Sequence, residues 1–383
     1  MKIIINTSTL YFGGGVQVAL SFINEIKDIP GNEYHVLLSQ EIDRQLDSSM
    51  FPDNFYFYLI ETSPAKFITR KKIIRQLDEI EEKVNPDAVF TVFGPSYWKP
   101  KSIHLLGFAD GWVYNPTSIA FDRLSFFKKI RIRLLIKYKL YHLRTDADYY
   151  VLETNDASDK LRNIMKEAKD RFFVVGNTVS QVFDNKVYAD KDNEFYIKLP
   201  EKKDDEFRLL YIAHNHPAKN LTLLNDVLKR LSGYNLKIIL TIDEESYGKI
   251  FDDEVKLNVI NVGSVPQLSC PSLYEQADAV ISTTLLETFS AVYPEAMKMK
   301  KPLLSSDFSF ARDICGESAV YFDALNPEDT VDKIIMLMTN KSLQEKLVQE
   351  GEKQLKTFET PNSRANKYLN ILNKIKDDGN VQK

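Results

Sequence analysis

Two glutamates, Glu287 and Glu295, lie on either side of the predicted start of a helix. Residues 279–281 form a short apolar run that predicts a buried strand, and apolar residues return with helical spacing over 291–297. Pro294 fits only near the beginning of such a helix, where its missing N–H costs nothing. Glu287 is therefore expected in the loop after a strand and Glu295 in the first turns of the helix. Ligands of open parallel sheets bind at the carboxyl ends of strands, so two carboxylates there suit a ligand with hydroxyls and an anionic group.

A lysine, Lys219, follows the first predicted strand of the second half of the chain. A lysine that opens a helix at this point can reach a diphosphate as a point charge. A solvated surface lysine is the alternative interpretation.

Three glycines, Gly13, Gly14 and Gly15, separate the first predicted strand from a helix. Backbone N–H groups can approach a phosphate there because no Cβ intervenes. The run matches neither the dinucleotide-binding fingerprint nor the P-loop, and a flexible turn is equally compatible with it.

Short apolar runs alternate with helical patterns along the chain, which predicts mostly parallel sheets with helices on both faces. Strands of the first half are predicted at 2–7, 34–39, 55–60, 88–93, 103–108, 149–152 and 172–175, with long helices at 66–83 and about 119–144. Strands of the second half are predicted at 207–213, 236–241, 258–262, 279–282, 303–305 and 319–322. The predicted organisation is an N-terminal domain (1–183), a charged linker (184–206), a C-terminal domain (207–360) and a last helix (361–383).

The composition is that of an ordinary soluble protein with two domains. The chain has 383 residues, of which 44% are hydrophobic and 27% charged. No apolar run approaches the roughly 18 residues of a transmembrane helix, and the first strand is too short and polar for a signal peptide. The two cysteines, Cys270 and Cys315, are expected as free thiols in the cytoplasm. Neither has metal-ligand spacing with the five histidines, so no metal is expected.

The two glutamates and their surroundings resemble a known motif. Glu287 and Glu295, in the setting strand–Glu-Thr-Phe-Ser–Pro-Glu-Ala, resemble the E-x7-E motif of retaining nucleotide-sugar glycosyltransferases of family 4 (group 1). The lead-in at 273–278 and the run at 301–304 strengthen the resemblance. It implies the GT-B fold, in which two Rossmann-like doubly wound domains face each other across a cleft, and a last helix that returns to the first domain. A helix N-terminus with acidic dipole partners is the alternative.

The resemblance assigns roles in donor binding to residues of the second half. Glu287 would lie beside the sugar and the leaving diphosphate, and Glu295 would accept hydrogen bonds from the ribose diol. Lys219 would neutralise the diphosphate, but His214 stands where the family usually has an arginine. The remaining candidates are Asn215 or a neighbouring backbone amide as a replacement donor, Val265 in the loop at the nucleobase, and the backbone N–H groups of Thr288, Phe289 and Ser290.

In the first half, the resemblance points to Asp110 and to the glycine loop. The family often has His-Asp after this strand, and here the residues are Ala109-Asp110. Asp110 is therefore the best polar candidate from this domain, with a helix-capping aspartate as the alternative. The glycines at 13–15 would face the donor diphosphate and the acceptor.

The implied activity is transfer of a sugar from a UDP- or GDP-type donor to a hydroxyl of a sugar, lipid-linked or protein-linked acceptor, with retention. Surface polysaccharide or glycoconjugate synthesis is the expected setting, with no metal or other cofactor. A nucleotide-sugar 2-epimerase of the same fold and a non-catalytic binding subunit remain alternatives, the latter because the usual arginine and histidine are missing.

A basic stretch at 121–144 suggests a membrane surface. It holds eight Lys/Arg and one Asp, interleaved with bulky apolar residues. Such a helix is typical of peripheral binding to an anionic leaflet, here the inner face of the cytoplasmic membrane. The alternative is a domain helix with a solvated basic face. Nucleic acid is not expected, because no nucleic-acid module is visible and the net charge is −4.

Overall fold

The computed structural model describes residues 1–184 and 191–381, and it divides the chain into two compact units. Residues 185–190 of the predicted linker and 382–383 of the predicted last helix lie outside the described residues. The first unit contains Met1–Pro116, Phe127–Thr178 and the chain from Glu359 onwards. The second unit contains Thr117–Phe126 and Val179–Phe358.

The first unit is built on a parallel sheet of seven strands. In chain order they are β1 (Lys2–Asn6), β2 (Glu33–Ser39), β3 (Phe55–Ile60), β4 (Ala88–Thr91), β5 (His104–Gly107), β6 (Tyr149–Leu152) and β7 (Phe172–Val174). Their order in the sheet is β3-β2-β1-β4-β5-β6-β7, so the direction of winding reverses between β1 and β4. The helices between these strands are α1 (Gly14–Ile26), α2 (Gln40–Gln45), α3 (Arg70–Val84), α4 (Gly111–Tyr114), α5 (Phe126–Asp146) and α6 (Asn155–Met165).

The second unit repeats this plan with six parallel strands. They are β8 (Phe207–Tyr211), β9 (Leu236–Leu240), β10 (Val259–Asn261), β11 (Ala279–Ser282), β12 (Leu303–Ser306) and β13 (Ala319–Phe322). The sheet order β10-β9-β8-β11-β12-β13 reverses between β8 and β11. Its helices are α7 (Thr222–Arg230), α8 (Glu244–Ile250), α9 (Asp253–Lys256), α10 (Cys270–Glu275), α11 (Val292–Lys298), α12 (Ser309–Cys315), α13 (Pro327–Thr339) and α14 (Lys341–Leu355). The last helix, α15 (Pro361–Val381), belongs to the first unit.

The predicted fold class is confirmed, because each unit is a doubly wound parallel sheet between helices. The first strand shows how alternation fills both faces: Ile3 and Ile5 pack in a cluster with α1 and α15, and Ile4 packs in a separate cluster with α3. Successive side chains of a strand point to opposite faces, so one apolar run serves two cores.

The predicted helix over 119–144 is not continuous. A 3-10 helix spans Ile119–Arg123, and α5 begins only at Phe126. The Ser118 hydroxyl accepts a hydrogen bond from the backbone N–H of Ala120 at 3.2 Å and so starts the short turn. Ala120 and Phe121 are buried in the second unit, where this turn packs beside Pro217–Lys219. Residues 117–126 thus lie in the second unit, whereas the sequence-based division places them in the N-terminal domain.

The first half of α5 does not pack an apolar side on the sheet. Ile130, Leu134 and Leu135 are 42%, 61% and 43% exposed, and burial begins with Ile136. The alternative of a domain helix that packs its apolar residues on the sheet therefore does not hold for this half, since apolar and basic side chains both face solvent.

A buried arginine attaches α15 to the rest of the first unit. Arg364 is 1% exposed and pairs with the Glu25 carboxylate of α1. It also donates to Asn177 Oδ1 at 2.8 Å and to Ser21 Oγ at 2.8 Å. Breaking a buried pair from one side leaves an uncompensated charge, which makes such a pair costly to disrupt.

We expect Arg364→Met to lower the free energy of unfolding of the first unit by about 3–5 kcal/mol, because Glu25 would remain buried without its cation. Both tryptophans of the chain, Trp98 and Trp112, lie in this unit, so tryptophan fluorescence during urea unfolding measures it. Lys367→Met is the matched control: Lys367 is 51% exposed in its pair with Glu359. Its effect should stay below about 1 kcal/mol. Equal midpoints for the two variants would contradict the interpretation.

Candidate active site

Lys219 lies in a tight turn after β8, at the point where the second sheet reverses its winding. The turn Pro217–Lys219 begins where His216 Nδ1 accepts a hydrogen bond from the Ala218 N–H at 3.2 Å. Two hydroxyls fix the Lys219 carbonyl: Tyr211 Oη donates to it at 2.9 Å and Thr283 Oγ1 at 2.7 Å. The turn is therefore held both from its own strand and from the strand end of β11.

The ammonium of Lys219 pairs directly with Glu287. The distance from Lys219 Nζ to Glu287 Oε2 is 2.6 Å, and the two side chains are 14% and 23% exposed. Burial disfavours the charged lysine, but the Glu287 carboxylate outweighs it and raises the pKa of Lys219 above its ordinary value. Glu287 Oε1 accepts a hydrogen bond from the Thr288 N–H at 3.2 Å. The loops after β8 and β11 thus bring together two predicted site residues that are 68 positions apart.

The two residues expected to compensate for the missing arginine add little positive charge. Partial burial, followed by the charge of Lys219, lowers the pKa of His214, so its imidazole is mainly neutral at pH 7. Asn215 Nδ2 donates to Ser246 Oγ of α8 at 2.8 Å. The permanent positive charge beside Glu287 is therefore that of Lys219.

Glu295 lies on α11 and is only 6% exposed. Its Oε2 accepts a hydrogen bond from Tyr274 Oη at 2.8 Å. Burial raises the pKa of Glu295 to about 7, and the Tyr274 hydrogen bond opposes that rise. The carboxylate is thus partly engaged within the unit, and its role at a ribose stays a prediction.

The other predicted donor-binding residues lie around Glu287 and α11. The Thr288 N–H donates a hydrogen bond to Glu287 Oε1. The Phe289 ring packs edge-on against Phe358, with 6.2 Å between the ring centroids. The Ser290 carbonyl accepts a hydrogen bond from the Tyr293 N–H at 3.2 Å. Val265 packs against the core of the second unit. Their predicted contacts with a donor are neither supported nor contradicted by this geometry.

In the first unit, Asp110 has two partners of its own. One carboxylate oxygen caps α4 by accepting the Trp112 N–H at 3.0 Å, and the other pairs with Lys139 of α5. This is the helix-capping arrangement considered as the alternative from the sequence, and a contact of Asp110 with a sugar stays a prediction.

The glycine loop requires glycine at its first position. Gly13, which directly precedes α1, has a φ of +75°. Residues with a side chain rarely adopt this backbone conformation. A Cβ on Gly15 would lie 3.3 Å from Leu10 Cδ2, whereas one on Gly14 would meet no atom within 4 Å. The predicted phosphate contact of Gly13, Gly14 and Gly15 is untested by these features.

Sequence reasoning missed the buried hydroxyls that support the site. Tyr211 and Ser282 both contact Thr284 Oγ1 at 3.2 Å, and Tyr293 contacts Ser305 Oγ at 2.9 Å. The run Ser282-Thr283-Thr284 directly after a strand could have indicated them, since polar residues at the end of a buried strand must find partners. No comparable sequence pattern indicated that Lys139 pairs with Asp110.

No group of three or more His, Cys, Asp or Glu within 1–184 and 191–381 is arranged to hold a metal ion. Over the same part of the chain, no helix is long and apolar enough to span a membrane.

Comparison with known proteins identifies the architecture. A glycosyltransferase from Rickettsia africae ESF-5 superposes with a TM-score of 0.70 at 15% identity, covering 98% of each chain. Anabaena HepE, crystallised with UDP and glucose, gives 0.69 at 12% identity over 98% of this chain and 100% of HepE. Sucrose-phosphate synthase from Thermosynechococcus elongatus gives 0.72 at 12% identity, covering 98% of each chain. The fold is GT-B.

The sequence itself gives a narrower similarity. The family described as glycosyl transferases group 1 matches residues 192–354, which is less than half of the chain. The matched residues lie in the second unit and include Lys219, Glu287 and Glu295. No curated protein matches the sequence.

Replacing Glu295 should change the pH dependence of stability. In the unfolded chain a glutamate titrates near 4.5, whereas the pKa of Glu295 in the fold is about 7. The folded state therefore binds more protons between these values, and wild type loses stability as pH rises through this window. Relative to Glu295→Gln, we expect the free energy of unfolding of wild type to fall by about 2–3 kcal/mol between pH 4.5 and pH 8.

Hydrogen exchange of peptides covering β11 and β12 measures this difference, because the second unit contains no tryptophan. Glu345→Gln, an exposed substitution on α14, controls for the loss of one charge. A difference between wild type and Glu295→Gln that does not vary with pH would show that burial of this carboxylate is not costly.

Proposed function

We propose that this protein transfers a sugar from a nucleotide-diphosphate donor to a hydroxyl acceptor with retention of anomeric configuration, in polysaccharide or glycoconjugate synthesis. The observation that carries the proposal is the pair of Lys219 and Glu287 at the winding reversal of the second sheet. Ligands of doubly wound sheets bind at this position, outside the carboxyl ends of the strands. The group 1 glycosyltransferase match over 192–354 and the GT-B fold support the same reaction class.

In the proposed step, the bond between the anomeric carbon and the diphosphate oxygen breaks, and the acceptor oxygen bonds to the same face of the carbon. The acceptor proton passes to the leaving phosphate oxygen. Lys219 stabilises the charge that develops on the diphosphate, as a fixed cation in a partly water-excluded site. Glu287 holds the ammonium in place and lies beside the sugar. No metal is required in this scheme, so activity should survive a chelator.

The donor is proposed to be of the UDP or GDP type, and UDP is the first to test. HepE, a structural neighbour, was crystallised with UDP and with UDP-glucose. The loop around Val265 is the proposed contact for the base, and Glu295 for the ribose.

We expect Lys219→Ala to lower kcat/KM by about a hundredfold or more, since a cation is removed from the leaving group. The assay is NMR of the purified full chain with UDP- and GDP-sugars and hydroxyl acceptors, which separates transfer from hydrolysis and from 2-epimerisation. Lys229→Ala is the matched control, because Lys229 of α7 is also ion-paired in the second unit but 39% exposed. Equal activity of the two variants would remove Lys219 from the mechanism, and an inactive wild type that still binds UDP would indicate a binding subunit.

His214→Arg is a second arm of the same assay. It places a permanent charge five residues before Lys219, where the imidazole is mainly neutral, so activity should be kept or increased. Loss of activity in a folded His214→Arg protein would show that the histidine does more than replace an arginine.

We further propose a lipid-linked acceptor at an anionic membrane surface, reached through the basic stretch 121–144. The exposed first half of α5 supports this, because Lys128 and Arg131 face solvent beside exposed apolar side chains. Attraction to anionic lipids contributes about 1 kcal/mol per basic residue and is screened over about 8 Å at physiological salt.

Glutamine at Lys128, Lys129, Arg131 and Arg133 should therefore reduce binding to anionic vesicles at least about tenfold at low salt. Co-sedimentation of wild type and the fourfold variant at low and high salt measures this, with circular dichroism as the check on folding. If wild type stays in the supernatant at low salt, α5 is no membrane contact and a soluble acceptor becomes the better proposal.

A further inference from the structure

Two neighbouring apolar side chains, Phe67 and Ile68, stand almost entirely in solvent. They are 90% and 95% exposed, the highest values among the large apolar residues of the described chain. They lie in the loop between β3 and α3, and neither belongs to the two clusters of described residues that pack on the faces of β1. Exposing two such side chains together is unfavourable in water, so a second environment is expected for them.

The loop that carries Phe67 and Ile68, which together are called the tip below, is anchored on both sides. Before it, Ser63 is 7% exposed, its carbonyl accepts the Lys66 N–H at 3.0 Å and its hydroxyl accepts the Ala65 N–H at 3.2 Å. After it, Arg70 begins α3 and donates to Tyr138 Oη at 2.5 Å and to His142 Nε2 at 3.0 Å. Phe67 and Ile68 are thus presented at a defined place.

The second anchor places the tip beside α5. Tyr138 and His142 both belong to α5, and His142 Nδ1 pairs with the Asp146 carboxylate at 2.8 Å. Because Nε2 accepts from Arg70, Nδ1 carries the proton and donates to Asp146. This buried chain of contacts joins the start of α3 to the last two turns of α5.

The segment that contains the tip and the start of α3 carries basic but no acidic side chains, and so does α5 up to its last residue. Residues 62–76 contain five Lys/Arg and no Asp or Glu, and residues 126–145 contain seven and none. Five of these basic side chains are exposed, three of them near the tip in sequence and two on α5. They are called the basic surface below and comprise Lys66, Lys71, Lys72, Lys128 and Arg131.

We propose that Phe67 and Ile68 insert into the apolar boundary of an anionic lipid bilayer while the basic surface contacts the headgroups. The proposal rests on the proposed membrane acceptor, and it adds an apolar anchor distinct from the attraction through 121–144. Charge decides the occupant: anionic headgroups complement the basic surface, whereas a second copy of this chain would bring the same positive charges face to face.

The test is flotation of the full-length protein with vesicles of phosphatidylcholine containing phosphatidylglycerol. Phe67→Ser/Ile68→Ser should weaken binding at least about tenfold and remove the part of binding that survives high salt, because apolar insertion is not screened. The control is Leu257→Ser/Leu325→Ser, two exposed apolar residues of the second unit at 81% and 47%, which should bind as wild type does. Equal binding by the tip variant, or no binding of wild type, would overturn the proposal.

A second measurement reports insertion directly. Cys270 and Cys315 are both buried, so Ile68→Cys can be labelled selectively with an environment-sensitive dye. Its emission should shift to the blue with anionic vesicles and be quenched by nitroxides on the acyl chains, while a dye on Leu257→Cys should not respond. A dimer of wild type in sedimentation velocity that the tip variant abolishes would assign the tip to a second copy and overturn the proposal. The thermal shift with UDP should be the same in wild type and tip variant, so failure of the donor proposal is seen separately.

Discussion

The candidate site depends on one ion pair, that of Lys219 with Glu287. Both side chains are largely withdrawn from water, at 14% and 23% exposure, and two charges held there are favourable only if their geometry is fixed. The sheet supplies that geometry. Because the winding reverses between β8 and β11, the loops that follow these neighbouring strands start side by side. Any change that moved one loop would leave a partly buried charge without its partner.

The interior beneath the pair is polar. Tyr211 and Thr283 both donate to the Lys219 carbonyl, and Ser306 Oγ donates to the Thr284 carbonyl at 2.5 Å. Apolar side chains could fill this space, but they would leave buried backbone carbonyls without donors. A fully paired hydroxyl network instead specifies one arrangement of the two loops, which is what a site must have if charge is to be stabilised without rearrangement.

The sequence was most informative where short strands are buried. The predicted strands 149–152, 279–282 and 319–322 agree with β6, β11 and β13, whose side chains are mostly buried, because a parallel strand covered on both faces is a continuous apolar run between turn residues. The pairing of Lys219 with Glu287 depends on which strands are neighbours, and this is not encoded locally. The break before α5 was missed for a different reason. The residues at the break, Leu124 and Ser125, are neither Gly nor Pro, so no local signal marks it. The short turn before them is instead held by burial of Phe121 in the second unit.

The histidine at position 214 changes the electrostatics of the site as a whole. With an arginine there, a diphosphate would meet two permanent cations against one carboxylate. Here the low pKa of His214 leaves Lys219 and Glu287 to cancel each other near pH 7, so the net charge of the three is close to zero. Long-range attraction of an anion to this site is then weak, and a bound anion would rely on short-range contacts with the Lys219 ammonium and with backbone N–H donors. In the proposed reaction, a phosphate that reached Lys219 would compete with Glu287 for the same ammonium, so the carboxylate that orients the lysine would also limit how tightly the product diphosphate is held.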